Sequence, residues 1–332
     1  MANSSRFRIA PIDVALVFCF VTLCLSGTRA EDAPTNATAA GDVTPLADDT
    51  QYNLVYKLKM GEVLRYTVDH RAAVRSTIDD TTQEAQTKTD SVKAWKVTDV
   101  LPSGEMEFVN VVERVHMLNQ LPDRAPTEYN SQQDKTPPPG YEDAARAIGV
   151  PLSVVRITPR GKVTSRKVKL QQSAAEHDAQ IVLRLPEEPV TIGGTWDEPF
   201  DLTVELADGG TKAIQTRRHH KLSGVSAGIA TIEVTYQILS PIDAQIEAQL
   251  VQRLMKGSVR FDMEQGRIAS QRFEVDQRVL GFAGPTSSMH YVMSMEERLV
   301  EAPQKTARRP TRPRKSSTRS ATRNYGKPTY NR

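Results

Sequence analysis

The chain has 332 residues, two cysteines and a formal charge of +3, from 43 Lys or Arg against 40 Asp or Glu. That length supports one large core or two ordinary ones. The cysteine count excludes a disulfide-framed module and a thiolate metal site.

Residues 1–30 have the order of an export signal. Arg6 and Arg8 give a basic start, Val14 to Leu25 an apolar run, and Ser26-Gly27-Thr28-Arg29-Ala30 a small-residue cleavage region. The run falls short of the ~20 residues of a membrane span. Leu23 and Leu25 around Cys24 do not make a lipoprotein cleavage site. Both cysteines, Cys19 and Cys24, lie inside this segment, so the mature chain holds none. The expected destination is periplasmic, cell-envelope or extracellular, with no transmembrane segment after cleavage.

Residues 31–50 are rich in Ala, Asp and Thr and read as a disordered leader. From residue 302 onward there are ten Lys or Arg and no acid. Setting aside that tail, and the three basic and one acidic residue of the signal, leaves 30 basic against 39 acidic residues. The body over 31–301 is therefore acidic, near −9, and the basic tail, set at 301–332, carries near +10 from residue 302 onward. Such a tail cannot collapse alone, and it can reach a polyanion. Arg308, Arg309, Arg312, Arg314 and Lys315 are its candidate anion-binding residues. Export makes an anionic envelope polymer or lipid the expected partner and argues against nucleic acid.

The body alternates with the period of half-buried strands. The segment Leu54 to Leu58 reads as a first strand, then Leu64 to Val68. A hairpin follows over 86–117, turning at Pro102-Ser103-Gly104. Residues 119–140 are polar and Pro-rich and read as a long surface loop. A short helix is expected over Tyr141 to Ile148. Leu152 to Thr158 and Lys162 to Leu170 form a hairpin about Pro159-Arg160-Gly161. Ile181 to Leu185 reads as a strand, and Phe200 to Leu206 turns through Asp208-Gly209-Gly210. A hairpin pairs 212–222 with 229–239 across Ser223-Gly224. A helix is expected from Asp243 to Lys256, with Ile246, Leu250 and Leu254 on one stripe and Gly257 as its stop. Ser258 to Glu264 and Arg267 to Asp276 turn at Gln265-Gly266, and Tyr291 to Leu299 is the last strand.

The order of pieces over 51–175 matches the order over 176–300. Each has a leading strand, a Gly-containing turn, a strand and hairpin, a short helix, and a closing strand–turn–strand. The expected fold is therefore mainly β with minor α: two similar antiparallel curved-sheet halves from a diverged duplication, each with a short helix.

No nucleotide, metalloprotease or nucleophile-elbow motif is present. No catalytic, metal or cofactor-binding residue is assigned. His219 and His220 are neighbours on a strand and point to opposite faces. His177-Asp178 sits in a polar connector with no nucleophile beside it. Tyr141, Trp196, Phe200 and Tyr236 are candidates to line a sugar or lipid cleft, with core packing as the alternative. Arg217, Arg218 and Lys221 form a basic run suited to an anion contact or to a solvated strand end.

The opening Leu54-Val55-Tyr56-Lys57-Leu58-Lys59-Met60-Gly61-Glu62, with the leader and the strand-rich body, resembles secreted β-rich proteins of planctomycete-type bacteria. The resemblance implies no activity and transfers no site residue. The functional expectation is an exported, non-enzymatic envelope-associated binding or scaffolding protein. The alternatives are a carrier holding a lipid or other apolar ligand between two curved sheets, and a hydrolase of a cell-surface polymer.

Overall fold

The computed structural model describes residues 50–170, 182–206 and 209–300. The signal, the leader up to residue 49, His177-Asp178 and the tail with its five basic candidates lie outside the described residues.

The chain is mainly β. Twelve strands form one antiparallel sheet: β1 (Val63–Ile78), β2 (Thr81–Val100), β3 (Met106–Gln120), β4 (Thr127–Asn130), β5 (Pro151–Ile157), β6 (Val163–Val168), β7 (Thr195–Glu205), β8 (Thr211–Ser226), β9 (Ile229–Ile238), β10 (Lys256–Asp262), β11 (Arg267–Leu280) and β12 (Ser288–Leu299). The order across the sheet is β6-β5-β3-β2-β1-β12-β11-β10-β9-β8-β7, with β4 on the far half of β3. Two helices interrupt it, α1 (Glu142–Ala147) and α2 (Ala244–Leu250). No helix among the described residues is long and apolar enough to cross a membrane.

The flanks repeat one layout. Apart from β4, which follows β3 and has no counterpart in the second flank, three meandering strands, a helix and two more strands run β1-β2-β3-α1-β5-β6 and then β7-β8-β9-α2-β10-β11. They lie head to tail, with β12 joining β11 to β1. The glycines before β1 and β7 make the same contact. Gly61 N–H donates to Val97 O while Val97 N–H donates to Glu62 O, at 3.0 and 2.9 Å. Gly193 N–H donates to Leu222 O while Leu222 N–H donates to Gly194 O, at 2.7 and 3.0 Å.

The leading segments 52–58 and 182–190 are not strands of the sheet. They touch each other through one antiparallel bridge, Tyr52 to Val190, and fill the space the sheet curls around. Leu54, Tyr56, Leu58, Leu183 and Leu185 are buried in the main core. Tyr56 reaches both flanks: its N–H donates to Pro159 O in the β5–β6 turn at 2.8 Å, and its ring meets Phe261 of β10 edge-on at 5.3 Å. Its hydroxyl donates to Leu183 O at 3.1 Å. Lys57 N–H donates to Gly266 O in the β10–β11 turn at 2.9 Å. Alternating apolar residues suggested strands here, but these segments pack as core filling, with their backbone groups satisfied by turns.

Other boundaries moved for local reasons. The β8–β9 turn is Ala227-Gly228, both at positive φ, and Ser223-Gly224 instead marks a register shift inside β8. The second helix stops at Leu250, continues as a single 3₁₀ turn over Val251–Arg253, and yields to β10 at Lys256. Asp243 caps its start by accepting from Ile246 N–H at 2.9 Å. Gly257 does not end the helix but lies in β10, where a Cβ would sit 2.0 Å from Arg272 O. The expected loop over 119–140 contains β4, and β1 and β2 run on in polar arms to the Asp79-Asp80 turn. Both helices cover the inner face: α1 with Tyr129 and Tyr141 over Val115 and Met117, and α2 over Phe200, Leu202, Val204 and Ile214.

Gly161, where one flank's turn meets the second filling segment, tests this architecture directly. It has φ +77°, and a Cβ there would lie 2.3 Å from Leu183 O and 2.9 Å from the Tyr56 ring. Gly228 also has φ +77°, with open space around it. Gly161→Ala is expected to cost about 2–4 kcal/mol and Gly228→Ala only about 1 kcal/mol, measured by urea unfolding.

Candidate functional site

Alternation sends Leu64, Tyr66, Val68 and His70 of β1 inward and Arg65, Thr67, Asp69 and Arg71 outward. The outward set frames a polar cleft of about 620 Å³ on the outer face. The antiparallel register builds it in rungs. One rung is Arg298–Thr67–Val92–Arg114 across β12, β1, β2 and β3. The next is Glu296–Asp69–Asp90–His116, extended by Asn130 of β4. Gln132 completes the wall beyond β4.

Like charges opposite each other on adjacent strands repel, and here each acid has a cation two residues away on its own strand. Arg71 donates twice to Asp69, at 3.0 Å each, Lys88 lies 3.1 Å from Asp90, and Arg298 donates to Glu296 at 2.9 Å. The Arg71 fork holds the Asp69 carboxyl below the usual range, and hydrogen bonding with Asp90 adds to this. His116 Nε2 lies 2.7 Å from Glu128 Oε1, and its Nδ1 lies 3.9 Å from Asp90. No group of three or more His, Cys, Asp or Glu among the described residues is arranged to hold a metal.

The residues singled out in the sequence lie elsewhere. Trp196, Phe200 and Tyr236 come together on the inner face of β7–β9. Phe200 meets Tyr236 edge-on at 6.1 Å, and Trp196 stacks on His220 at 5.2 Å. Tyr141 is on the other flank, packed on Tyr129 and donating to Thr127 O at 2.9 Å. The basic run divides between the faces. Arg217 points outward to Asp197 at 2.9 Å, and Lys221 is exposed. Arg218 points inward, is 1% exposed, and lies over the Phe200 ring at 4.4 Å and the Tyr236 ring at 5.2 Å. Burial opposes its charge, but Tyr236 and Glu198 (2.8 Å away) outweigh burial and keep the guanidinium protonated.

The first flank places a cation at the equivalent position. Lys93 stands four residues before Val97, as Arg218 stands four before Leu222. Lys93 lies over the Tyr66 ring at 5.8 Å and pairs with Glu297 at 2.6 Å, and Glu297 is 2% exposed. Gln271 donates to the same carboxylate at 3.1 Å. These buried pairs are part of the packing, and their residue types alone did not mark them. The outer cleft was equally invisible, because Asp69, Asp90, Arg114 and Arg298 meet only through register.

No family model matches the chain, and no curated protein does. Three solved structures give partial likenesses. A structure titled for lipid–protein interactions in lipovitellin gives a TM-score of 0.40 at 11% identity, covering 74% of this chain and 26% of that one. The chain thus spans about a quarter of its length. DynF, from the dynemicin biosynthesis pathway of Micromonospora chersina, gives 0.17 at 8% identity, covering 86% and 97%. A DUF1329 family protein from Desulfovibrio piger gives 0.13 at 13%, covering 71% and 85%.

Two tests follow from the buried charges. Lys93→Met strands the Glu297 carboxylate and is expected to cost about 3–5 kcal/mol, with much of the loss recovered when Glu297→Leu is added. His70 and His220 are buried, and desolvation is the main force that lowers both to about 4. Folding therefore favours the neutral imidazoles. Their contribution is complete above the unfolded value near 6.5 and is lost as pH falls towards 4, up to roughly 3 kcal/mol each. Urea midpoints at pH 7 and pH 5 should differ in the wild type, and less so in the variant with both histidines changed to Gln.

Proposed function

We propose that this is an exported, non-enzymatic envelope-associated binding protein that holds a small polar ligand in the outer-face cleft. The observation that carries the reading is the cleft itself. Its volume of about 620 Å³ lies in the range of small-molecule sites, roughly 300–1,000 Å³, and its walls mix guanidinium, carboxylate, amide, imidazole and hydroxyl groups. The interior supports the same choice. A carrier would hold its apolar ligand where Leu54, Tyr56, Leu58, Leu183 and Leu185 already pack. The repeated flank order supports a duplicated origin for the scaffold.

One observation favours a second reading. Asp69 and Asp90 form a carboxylate pair that faces the cleft, as hydrolysis of a cell-surface polymer requires. Turnover of such a polymer that disappears in Asp69→Asn without loss of fold would establish it.

Native mass spectrometry of the mature protein from its own host tests the main reading. A retained small polar compound is expected, and it should be lost in Thr67→Trp, which fills the cleft from β1. A stoichiometric lipid retained equally by both proteins would overturn the reading.

A further inference from the structure

We infer that the cleft selects a hydroxylated monoanion, either a sugar acid or a polyol phosphodiester, and that Arg114 receives the anionic group. The inference rests on the reading of the cleft as a ligand site. It follows from how the charges are already matched. Asp69, Asp90 and Glu296 each have a same-strand cation, His116 is engaged by Glu128, and Arg298 by Glu296. Arg65, beside the cleft, is taken by Glu113 at 2.8 Å. Arg114 is the exception among the described lining residues. Its contact is the neutral Gln132 amide, Nη1 to Oε1 at 3.4 Å, at the outer limit of a hydrogen bond.

A guanidinium left in this state presents a planar donor fork that matches a carboxylate or phosphate. The surrounding groups define the rest of the ligand. The paired carboxylates keep lone pairs that accept from hydroxyls. The Asn130 and Gln132 amides, one strand out, both donate and accept. A neutral sugar leaves Arg114 unmatched. A densely charged polyanion brings further negative charge against Asp69, Asp90 and Glu296. One negative charge on a polyol satisfies both sides of the cleft.

Isothermal titration of the full mature chain tests this with glucuronate, glycerophosphoglycerol and glucose as probes. At least one anionic probe should bind tenfold or more tighter than glucose, and whichever does so identifies the source of the anion. Arg114→Gln should remove that preference, whereas Arg260→Gln on the other flank should keep it, with both variants unfolding at the wild-type urea midpoint. Equal binding of glucose and the anionic probes, or an unchanged preference in Arg114→Gln, overturns the inference. So does failure of every probe at millimolar concentration. If Thr67→Trp still expels the host ligand in any of these cases, the cleft remains the binding site and only the ligand class is wrong.

Discussion

Everything else in the molecule depends on how the curled sheet is filled. A twelve-stranded antiparallel sheet with an apolar inner face cannot persist open in water. Here its two flanks close on two extended pieces of their own chain. Tyr56 is the tie: its backbone binds one flank's turn, its ring packs on the other flank, and its hydroxyl holds the second piece. Because those pieces carry little secondary structure, their polar groups are satisfied by the turns at Pro159 and Gly266 rather than by neighbouring strands. A glycine is needed at 161 because the second piece passes directly over it.

The repeated layout extends to charge. Each flank places a cation at the same step from its anchoring glycine contact, over an aromatic ring and against a carboxylate. The partners differ in kind, Lys93 with Glu297 and Arg218 with Glu198, and they come from different neighbours. Such pairs add little net stability, and removing one partner is costly. They therefore fix which residues may face inward. The outer face carries a different arrangement, in which same-strand pairs mute the acids and leave one guanidinium open.

Much of the fold was legible in the sequence. Strand alternation, the glycine turns at 104, 161, 209 and 266 and the helix before Gly149 all read directly. What failed did so for physical reasons. The segments at 54–58 and 182–185 alternate like strands, but an extended chain buried as filling has the same pattern. Ser223-Gly224 looks like a turn, yet a small residue also marks a shift in register. The polar arms of β1 and β2 lack an apolar face to announce them. The cleft could not be read at all, since Asp69, Asp90, His116 and Asn130 form one rung only once four strands are aligned. A bulge in the β2–β3 pairing near Val92 further shifts the parity of β3 after Val112, which carries Arg114 to the outer face.

The join between the flanks has a consequence for how the molecule is made. The centre of the sheet pairs the first strand with the last, as the Thr67 hydroxyl bonded to Arg298 O across 231 positions shows. Neither edge strand, β6 or β7, comes from either end of the sheet's span of chain. A polypeptide emerging from its N-terminal side can assemble β2 to β6 in sequence, but β1 keeps an open edge until β12 arrives. Loop closure over that distance makes the central pairing a late and slow event. Until then the exposed edge of β1 is the place where an unfinished chain would pair with another.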